Sequence, residues 1–310
     1  MSDFAILTDS SCDLTRDLRE RFGVENYLHG ILVFPDGHQE KADLDWGNMS
    51  AERFYGGMKE KKELYTTAQP GMQDFTDLLE APLKQGRDVL FLTLASGLSG
   101  TYQTSCIVAQ ELMEKYPERR IRCVDTRRYC GAQALLISRA SELRADGKSL
   151  DETADWVEAN RLRVHQMGVL EDLFFCKRMG RVSGTAAVMG TLVGIRPLAD
   201  LNEEGFSTVL GKVKGRKAAV AATMEYIRQT VEKPEEQVFF ISQSARMEQA
   251  QELKALLEET FHPREVIITT VCQSCGVAVG PGLYAVFYMG KEISRNLEEE
   301  KKLIEKISKG

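Results

Sequence analysis

Ser96, Ser99 and Thr101 stand within one short stretch, Ser96-Gly-Leu-Ser-Gly-Thr-Tyr102, with Gly97 and Gly100 between them. Hydroxyls gathered on a turn can do two kinds of chemistry. They can donate hydrogen bonds to a bound anion, or one of them can act as a nucleophile. A serine nucleophile wants a positioned histidine to take its proton. The chain has only 4 histidines, His29, His38, His165 and His262, and none stands in a turn that carries other candidate groups. A serine-dependent hydrolase, or another small-anion-binding enzyme using the turn at 96–101, is therefore the alternative reading and anion binding the leading one. The same residue types also make ordinary helix caps, so this stretch alone does not choose between a cap and a site.

The elements that must position these hydroxyls are legible on either side. Residues 89–94, Val-Leu-Phe-Leu-Thr-Leu, form an unbroken apolar run, the pattern of a strand covered on both faces of a parallel sheet. Downstream, Tyr102, Cys106, Ala109, Met113 and Tyr116 recur at spacings of three and four, one face of a helix. Doubly wound sheets place ligands where a strand's carboxyl end feeds a helix amino end. Backbone N–H groups of the first helical turn point outward there, and the helix dipole favours negative charge. Ser99 and Thr101 add hydroxyl donors, while Gly97 and Gly100 would let a ligand approach the backbone. The turn reads as an anion seat without formal positive charge.

Other turns fall into the same frame. Residues 4–7 read as a strand, and Thr8-Asp-Ser-Ser-Cys-Asp13 follows it, with Asp13 or Thr15 as a helix cap. Parallel neighbours end on the same side, so Ser10 and Ser11 are expected in the wall of the same pocket. Residues 27–34 form a second strand candidate, Ser50 starts a helix, and Thr67 presents a hydroxyl in the stiff segment before Pro70. Residues 120–125 read as a strand and 132–143 as a helix of small and apolar residues, completing a β/α alternation that argues a parallel sheet with helices on both faces. A break at Asp146-Gly-Lys148 and a capping box from Ser149 to Glu152 mark a domain boundary. Beyond it, strands are expected at 164–170, 238–241, 266–271 and 283–289, a short helix at 171–177, and a hairpin over 195–210. The second half also carries a basic turn, Arg178-Met-Gly-Arg181, an apolar, glycine-spaced segment at 186–193, and a basic loop at 212–217 that reads as a solvated turn.

At 310 residues the chain has room for two domains, and 43% hydrophobic with 28% charged residues is an ordinary globular balance. A net charge of −6 argues against nucleic-acid binding. No apolar run approaches the roughly 20 residues of a membrane helix, so no integral membrane segment is expected. The start lacks the basic region and apolar core of a signal peptide, and a cytoplasmic location is expected. The seven cysteines are odd in number and most lie in apolar segments, as reduced thiols do. Cys272-Gln-Ser-Cys275 has metal or redox spacing but no second pair beside it, and neither a metal nor a cofactor is expected. The donors Thr67, Ser99 and Thr101, set against Arg181 beside Met179 and apolar residues, suit an amphiphile with an anionic head.

Five motifs in series, Thr8-Asp-Ser-Ser-Cys-Asp13, Thr67-Ala-Gln-Pro70, Ser96-Gly-Leu-Ser-Gly-Thr-Tyr102, Met179-Gly-Arg-Val-Ser183 and Gly280-Pro-Gly282, together resemble the DegV family, in its order and spacing, from residue 3 to about 290. The resemblance implies a bacterial, two-domain α/β protein that binds a long-chain fatty acid and presents the acyl carboxyl group to a fatty-acid kinase without itself being the catalyst. The expected fold is a domain at 1–148 with a parallel sheet and the carboxylate seat, and a DegV-like α/β domain with a mixed sheet at 149–310 for the lipid tail. Carried over residue by residue, Thr67 and Ser99 match the hydroxyl ligands of the carboxylate, with Gly100 and Thr101 beside them, and Arg181 matches the arginine of the Gly-Gly-Arg turn. Ser10, Ser11, Ser96, Met179 and Ala278 are expected pocket lining. The sequence departs from the family at Ala68, Met179 and Arg196, and Ala278 stands where the family has a head-group histidine.

Overall fold

A computed structural model describes residues 4–60, 62–183 and 194–309. In chain order the first half runs β1 (Phe4–Asp9), α1 (Arg16–Arg21), β2 (Val24–Leu28), β3 (Ile31–Val33), β4 (Gln39–Lys41), α2 (Ala51–Lys59), β5 (Thr66–Ala68), α3 (Met72–Lys84), β6 (Asp88–Thr93), α4 (Thr101–Lys115), β7 (Ile121–Asp125) and α5 (Cys130–Ala145). The second half runs α6 (Leu150–Asn160), β8 (Val164–Leu170), α7 (Phe174–Met179), β9 (Val182–Ser183), β10 (Ile195–Leu201), β11 (Ser207–Lys214), α8 (Arg216–Thr230), β12 (Val238–Gln243), α9 (Met247–Phe261), β13 (Glu265–Thr270), α10 (Gln273–Val279), β14 (Leu283–Met289) and α11 (Glu298–Lys309).

Four strands in the order β2-β1-β6-β7 form a wholly parallel sheet. Four more, β13-β12-β14-β8, form a mixed sheet in which β12 runs parallel to β13 and antiparallel to β14. Two smaller sheets, β4-β3-β5 and β10-β11-β9, flank them. The chain is thus an α/β protein with a parallel sheet first and a mixed sheet second.

Period-two burial explains the layering. Leu90 and Leu92 of β6 join the same core cluster as Phe240 of β12 and Leu283, Ala285 and Phe287 of β14. Val89 and Phe91 face the other way, onto α3 and α4, and Tyr284, Val286 and Tyr288 face α8 and α9. Helix α5 lies in the middle layer between the two sheets, which is why nearly every side chain from Cys130 to Ala140 is buried. A helix apolar all round is a helix buried all round. A Cβ on Gly131 would stand 2.4 Å from the Phe287 ring, so only glycine lets α5 approach the second sheet there.

Two local expectations shift. Residues 27–34 are not one strand: the chain leaves the parallel sheet after Leu28 and re-forms as β3, because Gly30 N–H is captured by Ser10 Oγ (2.9 Å) and Gly30 O by Ala42 N–H (2.8 Å). The helix expected at 171–177 starts at Phe174, whose N–H is held by the Asp172 carboxylate at 2.8 Å.

Candidate functional site

The carboxyl ends of β1 and β6 open on the same side of the parallel sheet. With β5, α7 and α10 they enclose a cavity of about 310 Å³. Thr67, Ser99, Gly100, Thr101 and Arg181 all line it, as do Ser10, Ser11, Met179 and Ala278. Ser96 is not among the described lining residues. Its Oγ donates to the Asp125 carboxylate at 2.6 Å and its N–H to the same group at 3.1 Å, so it fastens the turn to the end of β7.

The hydroxyl pair at the head of α4 is prepared for an acceptor. Ser99 Oγ and Thr101 Oγ1 lie 2.9 Å apart, and Thr101 N–H reaches Ser99 Oγ at 3.3 Å. One hydroxyl proton bridges the two oxygens, which leaves the other to point at a ligand. Gly100 is the N-cap of α4, with no side-chain cap. Thr67 sits in β5 opposite Leu32 of β3. The turn after β5 is tied to α4 by a 2.6 Å hydrogen bond from Gln69 Nε2 to Thr104 Oγ1.

Arg181 arrives from the second half of the chain. Helix α7 ends at Gly180, which adopts a left-handed φ of 63° that glycine tolerates best, and the chain turns back with Arg181 N–H on Cys176 O (3.2 Å). Arg181 donates to the Met179 carbonyl at 2.6 Å and has no acidic partner among the described residues. Arg178, one turn away, donates to the Tyr65 carbonyl and so moors α7 beside β5.

Gly97 serves a purpose other than ligand approach. A Cβ there would stand 2.7 Å from the Glu204 carbonyl, in the turn that joins β10 to β11. Across the same contact, Gly205 (φ 89°) would put a Cβ 2.4 Å from that of Ala95. The hairpin turn therefore packs directly on the hydroxyl turn. Gly97→Ala is expected to cost about 1–3 kcal/mol by overpacking; an unchanged urea midpoint would show that the two turns are free to separate.

Three further wall residues fall outside the expected set. Asp9 is buried, and desolvation pushes its carboxyl up to about 6 against the opposing hydrogen bonds from Leu94 N–H, Gln133 and Ser11 N–H. Its place at the end of β1 was the usable hint. Gln69 lines the cavity from the turn after β5. Ser274, on α10, shares a 2.7 Å hydrogen bond with Ser10 Oγ. Ala278 lies one turn further along α10 and presents a methyl to the cavity.

A second, smaller void of about 40 Å³ lies beside it. It shares Tyr129, Cys176 and Val279 with the first and is walled by Leu170, Pro197, Ala199, Leu283 and Ala285 in the middle layer. Its polar neighbours satisfy one another: Tyr129 Oη lies 2.8 Å from Ser207 Oγ, which also accepts from Gln166 Nε2 at 3.1 Å. The apolar segment at 186–193 lies outside the described residues. No histidine lines either void among the described residues. His165 is instead buried against Asp200 at 2.6 Å.

A family model described as "Uncharacterised protein, DegV family" matches residues 3–291. A DegV domain-containing protein of Clostridium perfringens is 34% identical over 290 residues, 94% of this chain and 98% of that one. Among solved structures, a DegV family protein of Thermus thermophilus, described by its fatty-acid binding, superposes with a TM-score of 0.82 at 26% identity over 93% of this chain and 99% of its own. A Thermotoga maritima protein, described as revealing a fatty-acid binding function, shares the fold at a TM-score of 0.81 and 22% identity, over 94% and 100% of the two chains.

Proposed function

This chain belongs to the DegV family, and on that premise we propose that it binds a long-chain fatty acid in the two joined voids. The carboxylate lies at the hydroxyl end, between the segments 1–148 and 149–310, and the acyl chain runs past Tyr129, Cys176 and Val279 into the middle layer. One observation carries this reading. Neutral donors and an arginine without an acidic partner among the described residues line one void, and a second void with largely apolar walls shares Tyr129, Cys176 and Val279 with it. Thr67, Ser99 and Thr101 offer hydroxyls, and Arg181 can take the carboxylate by charge-assisted hydrogen bonds. Each buried methylene adds about 0.8 kcal/mol. The relative from Thermus thermophilus, described by its fatty-acid binding, supports the same class of ligand.

The protein acts here as a carrier. Thr67, Gly100 and Arg181 are exposed, so the carboxylate end is the end open to solution and can be offered to a fatty-acid kinase. The family's histidine is replaced by Ala278, so that offer is made by hydroxyls and arginine alone. Acyl phosphate trapped with hydroxylamine, when a fatty-acid kinase and ATP are added to the loaded protein, measures this step; no trapped product removes it.

Binding itself is tested by the native mass minus the denatured mass, where one fatty acid is expected. Ser99→Ala and Arg181→Ala should each weaken palmitate binding by about 1–3 kcal/mol, the range for a hydrogen bond to a charged group. Unaltered affinity in both variants would take these residues out of the site.

A further inference from the structure

Cys272 is the N-cap of α10 and Cys275 stands one turn inside it, in Cys-x-x-Cys spacing. Cys130, at the start of α5, belongs to the same core cluster, and the Ser11 carbonyl links it to Cys275: it accepts from Cys130 N–H at 2.6 Å and from the Cys275 thiol at 3.6 Å. Cys272 is sealed in the core at 2% exposure, whereas Cys275 lines the outer void and Cys130 the inner one. All three are free thiols, and no group of three among the described residues could hold a metal ion. The chemistry open to the cluster is therefore that of sulfur itself.

Burial ordinarily makes a thiol inert by disfavouring its thiolate, and it pushes Cys176, another cavity residue, up to about 12. Cys275 goes the opposite way, down to about 6, because hydrogen bonds from Cys130 and Cys272 outweigh its burial. A thiol at the cavity wall, with a second thiol in the same Cys-x-x-Cys motif, is the arrangement that carries two-electron redox chemistry.

We propose that Cys275 reduces hydroperoxides that enter the ligand cavity, with Cys272 as its resolving thiol. The Cys275 sulfur attacks the terminal oxygen of R–O–O–H and the O–O bond breaks. R–OH leaves with the proton the thiol had carried, and Cys275 becomes a sulfenic acid. Cys272 sulfur then attacks Cys275 sulfur, the S–S bond forms, and the sulfenic oxygen leaves as water with the Cys272 proton. Two thiols are oxidised to one disulfide, and the hydroperoxide is reduced to alcohol and water. An external dithiol resets the pair. The hydroperoxide is either that of a fatty acid, with –OOH on a chain carbon and the carboxylate held as the fatty acid's is held, or hydrogen peroxide diffusing in. Only the acyl case rests on the fatty-acid reading.

The test uses the full-length reduced protein, mixed in parallel with linoleic acid hydroperoxide or hydrogen peroxide at equal concentration. Samples are quenched in acid, alkylated under denaturing conditions and mapped by mass. The expected result is loss of two alkylatable thiols, at Cys272 and Cys275, at least tenfold faster with the fatty-acid hydroperoxide and slowed by excess palmitate. Cys275→Ser should abolish the reaction, Cys272→Ser should leave Cys275 as a dimedone-trapped sulfenic acid, and Cys106→Ser should match the wild type. Cys275 remaining alkylatable with both oxidants would overturn the assignment, as would a disulfide elsewhere in the chain. Equal rates with both oxidants, in protein shown by native mass to retain palmitate, would overturn delivery by the acyl chain. Failure to retain palmitate would count against the fatty-acid reading, and the hydrogen peroxide arm would still judge the thiols.

Discussion

Asp200→Ala is expected to destabilise the fold by about 3–5 kcal/mol, the scale of removing one partner from a buried ion pair. Asp200 and His165 are 0% and 1% exposed, with Nδ1 on the carboxylate at 2.6 Å. Nε2 of the same ring meets the Lys291 carbonyl at 2.7 Å. Both ring nitrogens face acceptors, so the imidazole is held as the cation. Burial pulls His165 down, but the Asp200 carboxylate and the Lys291 carbonyl outweigh it and keep the ring above its ordinary 6.5. Burial likewise pushes Asp200 up, and His165 with the N–H groups of Gln166 and Leu201 outweighs that and holds it below 3.8. Tyr226 Oη donates to the carboxylate at 2.8 Å, and the Tyr288 ring stacks on the imidazole at 5.4 Å.

The sign of the pH dependence follows. A histidine with a raised folded pKa contributes fully below the unfolded value of 6.5 and loses that contribution as pH climbs through the folded one. An aspartate with a lowered folded pKa contributes fully above 3.8 and loses it as pH falls through the folded one. Stability from this pair is therefore greatest between those two values and declines on both sides. Urea unfolding from pH 6 to pH 9 should show the wild type losing stability, while Asp200→Asn, with no charge left to hold the cation, gains it over the same range. Parallel slopes would show that the imidazole is neutral in the fold.

What the sequence could reveal depended on how local the cause was. The caps at Ser50 and Ser149 were readable because donor and acceptor are three residues apart: Ser50 Oγ accepts from Arg53 N–H at 3.2 Å, and Ser149 and Glu152 close a full capping box. The turn after β6 was readable because an unbroken apolar run and a 3.6-residue period bracket it. Helix α10 was not, since it contains Gly276 and is begun by a remote group. Of the two caps expected for α1, Thr15 takes the N-cap position, while Asp13 instead accepts Cys272 N–H at 2.8 Å and the Ser242 hydroxyl at 2.7 Å. Ser274 escaped for the same reason, its partner Ser10 being 264 residues away. Gly97 was expected to let a ligand approach the backbone, but the approaching group is the β10–β11 turn. Side chains that answer to distant backbone leave no periodic trace.

Ala199→Leu is expected to separate the two ends of the ligand site. Ala199 and Pro197 of β10 line the inner void, while Leu198 and Asp200, on the strand's other face, belong to the layer beyond. The added carbons would occupy a void of about 40 Å³ without touching Thr67, Ser99 or Arg181. A long acyl chain would then lose the burial of about three methylenes, roughly 2–3 kcal/mol at about 0.8 kcal/mol each. Affinity for stearate and palmitate should fall about 30- to 160-fold by that estimate, while decanoate, with its shorter chain, binds as before. The melting temperature of the unliganded variant should hold or rise, because the substitution fills empty space. An equal loss for every chain length would mean that the fold, not the tail, was disturbed. Undiminished stearate binding would place the chain elsewhere, and the hydroxyl end would then have to be explained without the apolar void behind it.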